Sequence, residues 1–172
     1  MDLLEKVLSE EYRYNGKSIN LKVQTVELPN GKTGIREIVE HPGAVAIVPF
    51  VDNDKIVLVE QYRKALDMVL LEIPAGKINK EETAEVCGIR ELEEETGYKA
   101  RSFEYLGKIA PAPGFTNEIV YIYKAINLYE GKINRDEDEF INLRIYSIDE
   151  VKNMIKNGEI IDGKTVAALS LL

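Results

Sequence analysis

The chain reads as an α/β or α+β sandwich in which a central mixed sheet is flanked by two or three helices. Three patterns predict it. Period-two alternation runs through the first stretch of the chain, as in Glu11-Tyr12-Arg13-Tyr14 and Ile19-Asn20-Leu21-Lys22-Val23. The nearly all-apolar run Ala44–Val51 has the composition of a strand buried on both faces. The charged stretch from Glu81 to Thr96, stopped by Gly97, has the signals of a helix.

Taken in order, residues 2–8 have the pattern of a short amphipathic helix, although so short a helix has little stability of its own. Asn15-Gly16 is a turn between the first two strands. Thr25–Leu28 and Thr33–Val39 form a further hairpin around Pro29-Asn30-Gly31-Lys32, because Asn-Gly suits positive φ at both central residues. These segments amount to a small antiparallel sheet. After Ala44–Val51 the chain turns at Asp52-Asn53-Asp54 and returns along Lys55–Arg63. Met68–Ile73 leads through Pro74-Ala75-Gly76 into the helix. Phe103–Ile109, Glu118–Ile126 and Asn142–Tyr146 are the later strands, with a stiff loop at Ala110–Gly114 and an acidic loop at Asn134–Glu139. Ser147 and Asp149 can cap a helix that ends at Gly158, and Thr165–Leu172 is a short closing helix. No repeat, linker or low-complexity tract interrupts the chain.

With 172 residues and 45% hydrophobic content, one domain with a proper core is expected. A net charge of -8 argues against nucleic acid or an anionic membrane surface as a partner. An anionic substrate would therefore need a cation or local Arg and Lys. The amino terminus lacks a basic n-region, and no segment approaches the ~18 apolar residues of a membrane span, so a cytoplasmic protein is expected. Cys87, the one cysteine, has no partner for an internal disulfide and falls beside Gly88 as a packing residue. His41, the one histidine, offers little to a zinc site or a serine–histidine triad and reads as a turn residue.

The stretch Gly76–Tyr98, GKINKEETAEVCGIRELEEETGY, carries the chemistry. Glu91, Glu94 and Glu95 fall within one helical turn and share a flank. Each like-charged pair at this spacing costs roughly 0.2–0.5 kcal/mol. Acids in the last turn also oppose the helix dipole. Two local rules broken at one place point to a site, and clustered carboxylate oxygens suit a hard divalent cation such as magnesium.

From Gly76, five residues pass before Glu82 and seven more before Arg90-Glu91-Leu92; one then precedes Glu94-Glu95, and one precedes Gly97-Tyr98. This spacing resembles the Nudix box, and the chain is similar to the Nudix hydrolases over most of residues 10–170. The resemblance implies a Nudix-type α/β/α sandwich with a central mixed sheet. Residues 1–40 are then an N-terminal antiparallel extension serving dimerisation and substrate binding, and residues 41–172 the Nudix hydrolase domain. It also implies that Glu91, Glu95 and the Ala75 carbonyl bind magnesium, with manganese as the alternative ion. Glu94 supports a second ion or orients the first. Arg90 holds a neighbouring carboxylate, and Glu82 orients Arg90 or the loop, unless it is a first-turn acid favoured by the dipole. The run Arg135–Glu139 resembles the late acidic loop from which ADP-ribose-cleaving members draw their general base. Glu137 matches that base, and Glu139 is the second choice or a metal contact.

Pro113 lies sixteen residues beyond Gly97, a spacing that resembles the marker of the ADP-ribose pyrophosphatase branch. Ala112 and Asn117 stand where that pattern often has a serine and an acid, so neither group is supplied here. Glu60-Gln61-Tyr62-Arg63, Glu72–Gly76 and Arg36-Glu37 extend the likeness. By it, Arg63 meets a phosphate, Arg36 reaches substrate across a homodimer, and Pro113 and Gly114 shape the substrate loop. Tyr12 and Tyr14 are either stacking partners, dimer contacts or plain packing. The implied activity is magnesium-dependent hydrolysis of ADP-ribose to AMP and ribose 5-phosphate. Pyrophosphatase action on another nucleoside diphosphate sugar such as GDP-mannose, or on a dinucleotide, is the nearest alternative. A nucleotide-sensing module that binds without cleaving, or a structural domain, comes from a different class.

Overall fold

The computed structural model describes residues 3–135 and 139–172. The chain divides into two compact units. The first comprises residues 1–43 and 112–118, and the second residues 44–111 and 119–172.

The first unit is a three-stranded antiparallel sheet in the order β1 (Lys6–Asn15), β2 (Asn20–Glu27), β3 (Thr33–Glu40). The helix expected over residues 2–8 is replaced by the start of β1, with Lys6 opposite Glu27 and Val7 opposite Val26. An isolated helix of that length is marginal in water, whereas each strand residue gains ladder bonds. The two segments expected on either side of Gln24 form the single strand β2. At the β2–β3 turn, Gly31 has φ +77° while Asn30 stays out of the positive-φ region. Asn30 acts through its side chain, whose Oδ1 accepts the Lys32 N–H at 3.0 Å. Residues 112–118 join this unit, with the Val39 N–H donating to the Phe115 carbonyl at 2.8 Å.

The second unit holds a four-stranded mixed sheet in the order β7 (Ala75–Lys77), β4 (Ala44–Pro49), β9 (Val120–Glu130), β8 (Tyr98–Ile109). β4 and β9 run parallel, and the other two pairings are antiparallel. A second, antiparallel sheet has the order β10 (Ile141–Ser147), β5 (Lys55–Arg63), β6 (Met68–Glu72). Three helices complete the unit: α1 (Ala84–Thr96), α2 (Ile148–Lys156) and α3 (Gly163–Ser170). None of the helices among the described residues is long and apolar enough to cross a membrane.

The unbroken apolarity of β4 has a direct cause. Val45 and Ile47 pack with Cys87 and Leu92 of α1, while Ala46 and Val48 pack with Ile56, Leu58, Val151, Ala168 and Leu169 on the other face. One strand thus belongs to two cores. Gly88 lets α1 approach the sheet, since a Cβ there would stand 2.7 Å from Phe103 and 3.1 Å from Val45. α1 starts at Thr83, whose hydroxyl accepts the Val86 N–H at 3.3 Å, and ends at Gly97 in the left-handed region with φ +74°. α2 carries a full capping box between Ser147 and Glu150. β8 starts five residues earlier than the alternation suggests, at Tyr98, because the chain leaves the αL residue Gly97 directly into the sheet.

Candidate functional site

The acidic turn of α1 is organised by Arg90. Its Nε and Nη2 donate to the two oxygens of Glu82 at 2.9 and 3.0 Å, and its Nη1 donates to Glu91 and Glu94, both at 2.8 Å. Three like charges are therefore gathered on one delocalised cation, whose planar fork suits several carboxylates at once. Arg90 is held even more firmly protonated than usual, first by Glu82 and then by Glu94 and Glu91. In return, Glu82 is lowered to about 2, chiefly by Arg90 and in part by the Asn79 N–H. Glu82 lies ahead of α1, not in its first turn, and joins Arg90 to the loop before the helix, where it accepts the Asn79 N–H at 3.0 Å.

Glu91 and Glu95 differ from Glu94 in being buried. Glu91 lies against the backbone of Gly76, where an added Cβ would come within 1.9 Å of its carboxyl carbon. Glu95 is 2% exposed and its Oε2 accepts the Ala75 N–H at 3.2 Å. The strand-to-loop segment Ala75–Gly76 and two turns of α1 therefore share one small volume. Burial pushes Glu95 up to about 8, and the charges of Glu91 and Glu139 add to that rise, while Arg63 opposes it weakly. Burial also raises Glu91 against the pull of Arg90.

That electrostatic picture tests whether a divalent cation suits the site. Two buried carboxylates in each other's field, with the charge of Glu139 acting on both, cost several kcal/mol to ionise without a counter-ion. A hard cation taking the place of the proton on Glu95 removes that cost, and the donors are oxygens throughout. The residues fit. Among the described residues no three acidic groups converge as a ready-made cage, because Glu94 is turned to Arg90. The buried pair with the Ala75–Gly76 backbone is the core of the set.

Glu139 lies close enough for its charge to act on both Glu91 and Glu95. Glu137, the first choice as base, lies outside the described residues. Arg135 was not expected to do more than flank that acidic run. Its Nε and Nη2 donate to the Glu95 carbonyl at 3.0 and 2.6 Å, and its Nη1 to the Ile141 carbonyl at 2.7 Å. It satisfies a free carbonyl at the end of α1 and anchors the loop there.

Arg63 sits at the end of β5 and donates from Nε and Nη2 to Glu72, both at 2.7 Å. Glu72 is 1% exposed and also binds Lys164. Sequence reasoning assigned neither Glu72 nor Lys164 a role. Glu72 stood out only as the first residue of the family-like run Glu72–Gly76 and as an acid in the otherwise apolar stretch Met68–Ile73; Lys164 lies 92 residues away and gave no signal.

The remaining expected substrate residues belong to the first unit. Arg36, Pro113 and Gly114 line one cavity of about 700 Å³ together with Ile38, Phe115 and Val26. Arg36 there is paired with Glu5, its Nε donating to Oε2 at 2.9 Å. Asn117, in place of the family acid, accepts the His41 N–H at 2.8 Å and braces the loop. Tyr12 donates to Glu40 at 3.0 Å, and the Tyr14 ring covers Gly16. Cys87 is fully buried, donates to the Lys77 carbonyl at 3.3 Å and is pushed up to about 12 by burial, as a packing residue would be.

Residues 40–169 match the NUDIX domain, and residues 5–39 match the nucleoside diphosphate sugar hydrolase N-terminal domain. The chain belongs to the Nudix family. This Nudix chain is 46% identical over 170 residues to a methanol dehydrogenase activator of Bacillus methanolicus, covering 98% of the chain and 92% of that relative. It is 42% identical over 172 residues to an ADP-ribose pyrophosphatase of Bacillus subtilis, covering 99% and 93%. A crystal structure of an ADP compounds hydrolase superposes with a TM-score of 0.88 at 25% identity, covering 99% of this chain and 94% of that one. The expected mixed-sheet Nudix fold is thereby borne out, and the chain is a Nudix hydrolase of a kind that needs a divalent cation.

Proposed function

We propose that this Nudix hydrolase cleaves the diphosphate of ADP-ribose with magnesium, giving AMP and ribose 5-phosphate. The observation that carries this reading is the end-to-end likeness, at 42% identity, to an ADP-ribose pyrophosphatase in a chain with a complete acidic helix. Glu91, Glu95 and the Ala75 carbonyl hold the ion, with Glu94 beside them through Arg90. The ion supplies neutralisation of charge on the phosphate oxygens. Arg63 binds a phosphate oxygen through its Nη1, and Arg36, Pro113 and Gly114 are the further substrate contacts that the family resemblance implies. Glu137 takes the proton of the attacking water, with Glu139 as the alternative base and a contributor to the acidic field. Water oxygen bonds to phosphorus, the bridging P–O bond breaks, and the departing phosphate leaves on one product. Hard-oxygen donors favour magnesium, with manganese able to replace it.

The same reading makes the protein a cytoplasmic homodimer joined through its N-terminal strands. Support comes from the exposed apolar residues Val7, Leu8, Tyr12 and Tyr14 on β1 and from the lone buried cysteine. Light scattering giving a single-copy mass at micromolar concentration would remove the dimer. A second reading is favoured by the 46% identical relative named as a dehydrogenase activator, namely that nucleotide binding serves to regulate another enzyme. Incubation with magnesium and a panel of nucleoside diphosphate derivatives separates the readings. AMP released from ADP-ribose in preference to GMP from GDP-mannose supports the proposal. Ligand-induced thermal stabilisation without any product would leave the binding module instead.

A further inference from the structure

Glu72 is almost wholly buried, yet it is met by two cations: Arg63 through a bidentate pair and Lys164 at the same Oε2. Lys164 in turn pairs with Asp162 at 3.0 Å. Asp162 is the N-cap of α3, its Oδ2 accepting the Thr165 N–H at 3.0 Å and the Thr165 hydroxyl at 2.6 Å. Thr165 Oγ1 then accepts the Ile73 N–H at 2.9 Å, immediately before Pro74-Ala75. One turn of the closing helix therefore reaches both the carboxylate that holds Arg63 and the backbone that leads to the Ala75 carbonyl.

The orientation of a Glu carboxylate about its last torsion is only weakly restricted by the side chain itself. Arg63 is part-exposed and long, so its guanidinium plane is fixed only as well as Glu72 is fixed. Lys164 supplies the contact from the opposite side. With Nε and Nη2 engaged, Arg63 keeps Nη1 without a partner among the described residues, and the charge of Glu95 acts on the same guanidinium. A plain structural ion pair would be complete with Arg63 and Glu72 alone. The second cation, brought from 92 residues away, locks the direction in which Arg63 presents its free edge.

We infer that Lys164 is a positioning residue for the hydrolysis: through the buried carboxylate of Glu72 it aims the Arg63 guanidinium at the substrate diphosphate. This rests on the reading above in which Arg63 contacts a phosphate. The test is a double-mutant cycle on the full chain with magnesium and ADP-ribose, using Arg63→Ala, Lys164→Met and the pair, with circular dichroism melts on each. Lys164→Met is expected to lower kcat/KM by roughly ten- to a hundredfold, the scale of a small misplacement of a binding group. The same substitution in the Arg63→Ala background should cost less than about twofold, because nothing remains to be aimed. Lys164→Arg should restore kcat/KM to within about threefold of the parent, keeping a cation at Glu72. Affinity for ADP-ribose in EDTA, measured by calorimetry, should weaken in Lys164→Met, and the double variant should bind no more weakly than Arg63→Ala. Should Lys164→Met fail to fold, Lys164→Gln takes its place in the cycle. If Arg63→Ala lowers kcat/KM but Lys164→Met has no effect or an additive one, the positioning role is overturned while the phosphate contact stands. If Arg63→Ala leaves kcat/KM unchanged, the phosphate contact itself fails and the inference falls with it.

Discussion

At the scale of single residues, burial decides which of the acids differ. Glu95 is raised from 4.5 to about 8, so between those values the folded chain holds a proton that the unfolded chain has lost. For a carboxyl group raised on folding, the sign is that stability falls as pH rises through this window. In EDTA, the melting temperature should fall from pH 5 to pH 8, and Glu95→Gln should flatten that slope; an unchanged slope in the variant would contradict the assignment. The same proton must leave when a cation binds, so calorimetry at pH 7 in two buffers of different ionisation enthalpy should show proton release on adding manganese. Glu95→Gln should also lower kcat by on the order of a hundredfold, as expected when a charge-stabilising group is removed. The acidic set was legible in the sequence because its spacing is local to one helix. Glu72 and Lys164 were not, because their meeting depends on how α3 returns to β5 and β6, which no local pattern encodes.

At the scale of elements, the loop that enters α1 is shaped around a side chain rather than around its own backbone. Gly76 has no positive φ, and its need for glycine comes from the Glu91 carboxyl group lying where a Cβ would be. Gly76→Ala should fold, since the displaced atoms are the end of a flexible side chain. It should weaken divalent-ion affinity by roughly ten- to a hundredfold, readable by titration with manganese. The α2 cap gives the contrasting case. Ser147→Ala removes the hydroxyl that accepts the Glu150 N–H at 3.3 Å and should cost about 1 kcal/mol by urea unfolding, with kcat/KM unaltered. The elements with strong periodicity or complete caps, β4, β5, α1 and α2, were readable from the chain. β1 was readable only from Glu11 onward, because residues 2–8 have the pattern of a short helix and pairing with β2 makes Lys6–Asn15 one strand.

At the scale of the whole molecule, apolar burial is uneven between the two units. All ten residues of β1 are exposed, whereas β4 is buried along nearly its full length. Amides of β1–β3 should therefore exchange with deuterium faster than those of β4 and β9 at low protein concentration, since shallow burial leaves local opening inexpensive. Equal protection in dilute solution would show that the first unit draws stability from elsewhere. The family resemblance implied a division of the chain near residue 40, and the first unit runs through Gly43. The return of residues 112–118 to the first unit could not be anticipated, because it follows from strand pairing far apart in sequence. The sealed thiol of Cys87 carries a practical corollary: a maleimide dye should leave the native chain unlabelled. A single cysteine engineered at an exposed position would then accept one fluorophore with no background, so nucleotide binding could be followed by the emission of that dye without first stripping the chain of its own sulfur.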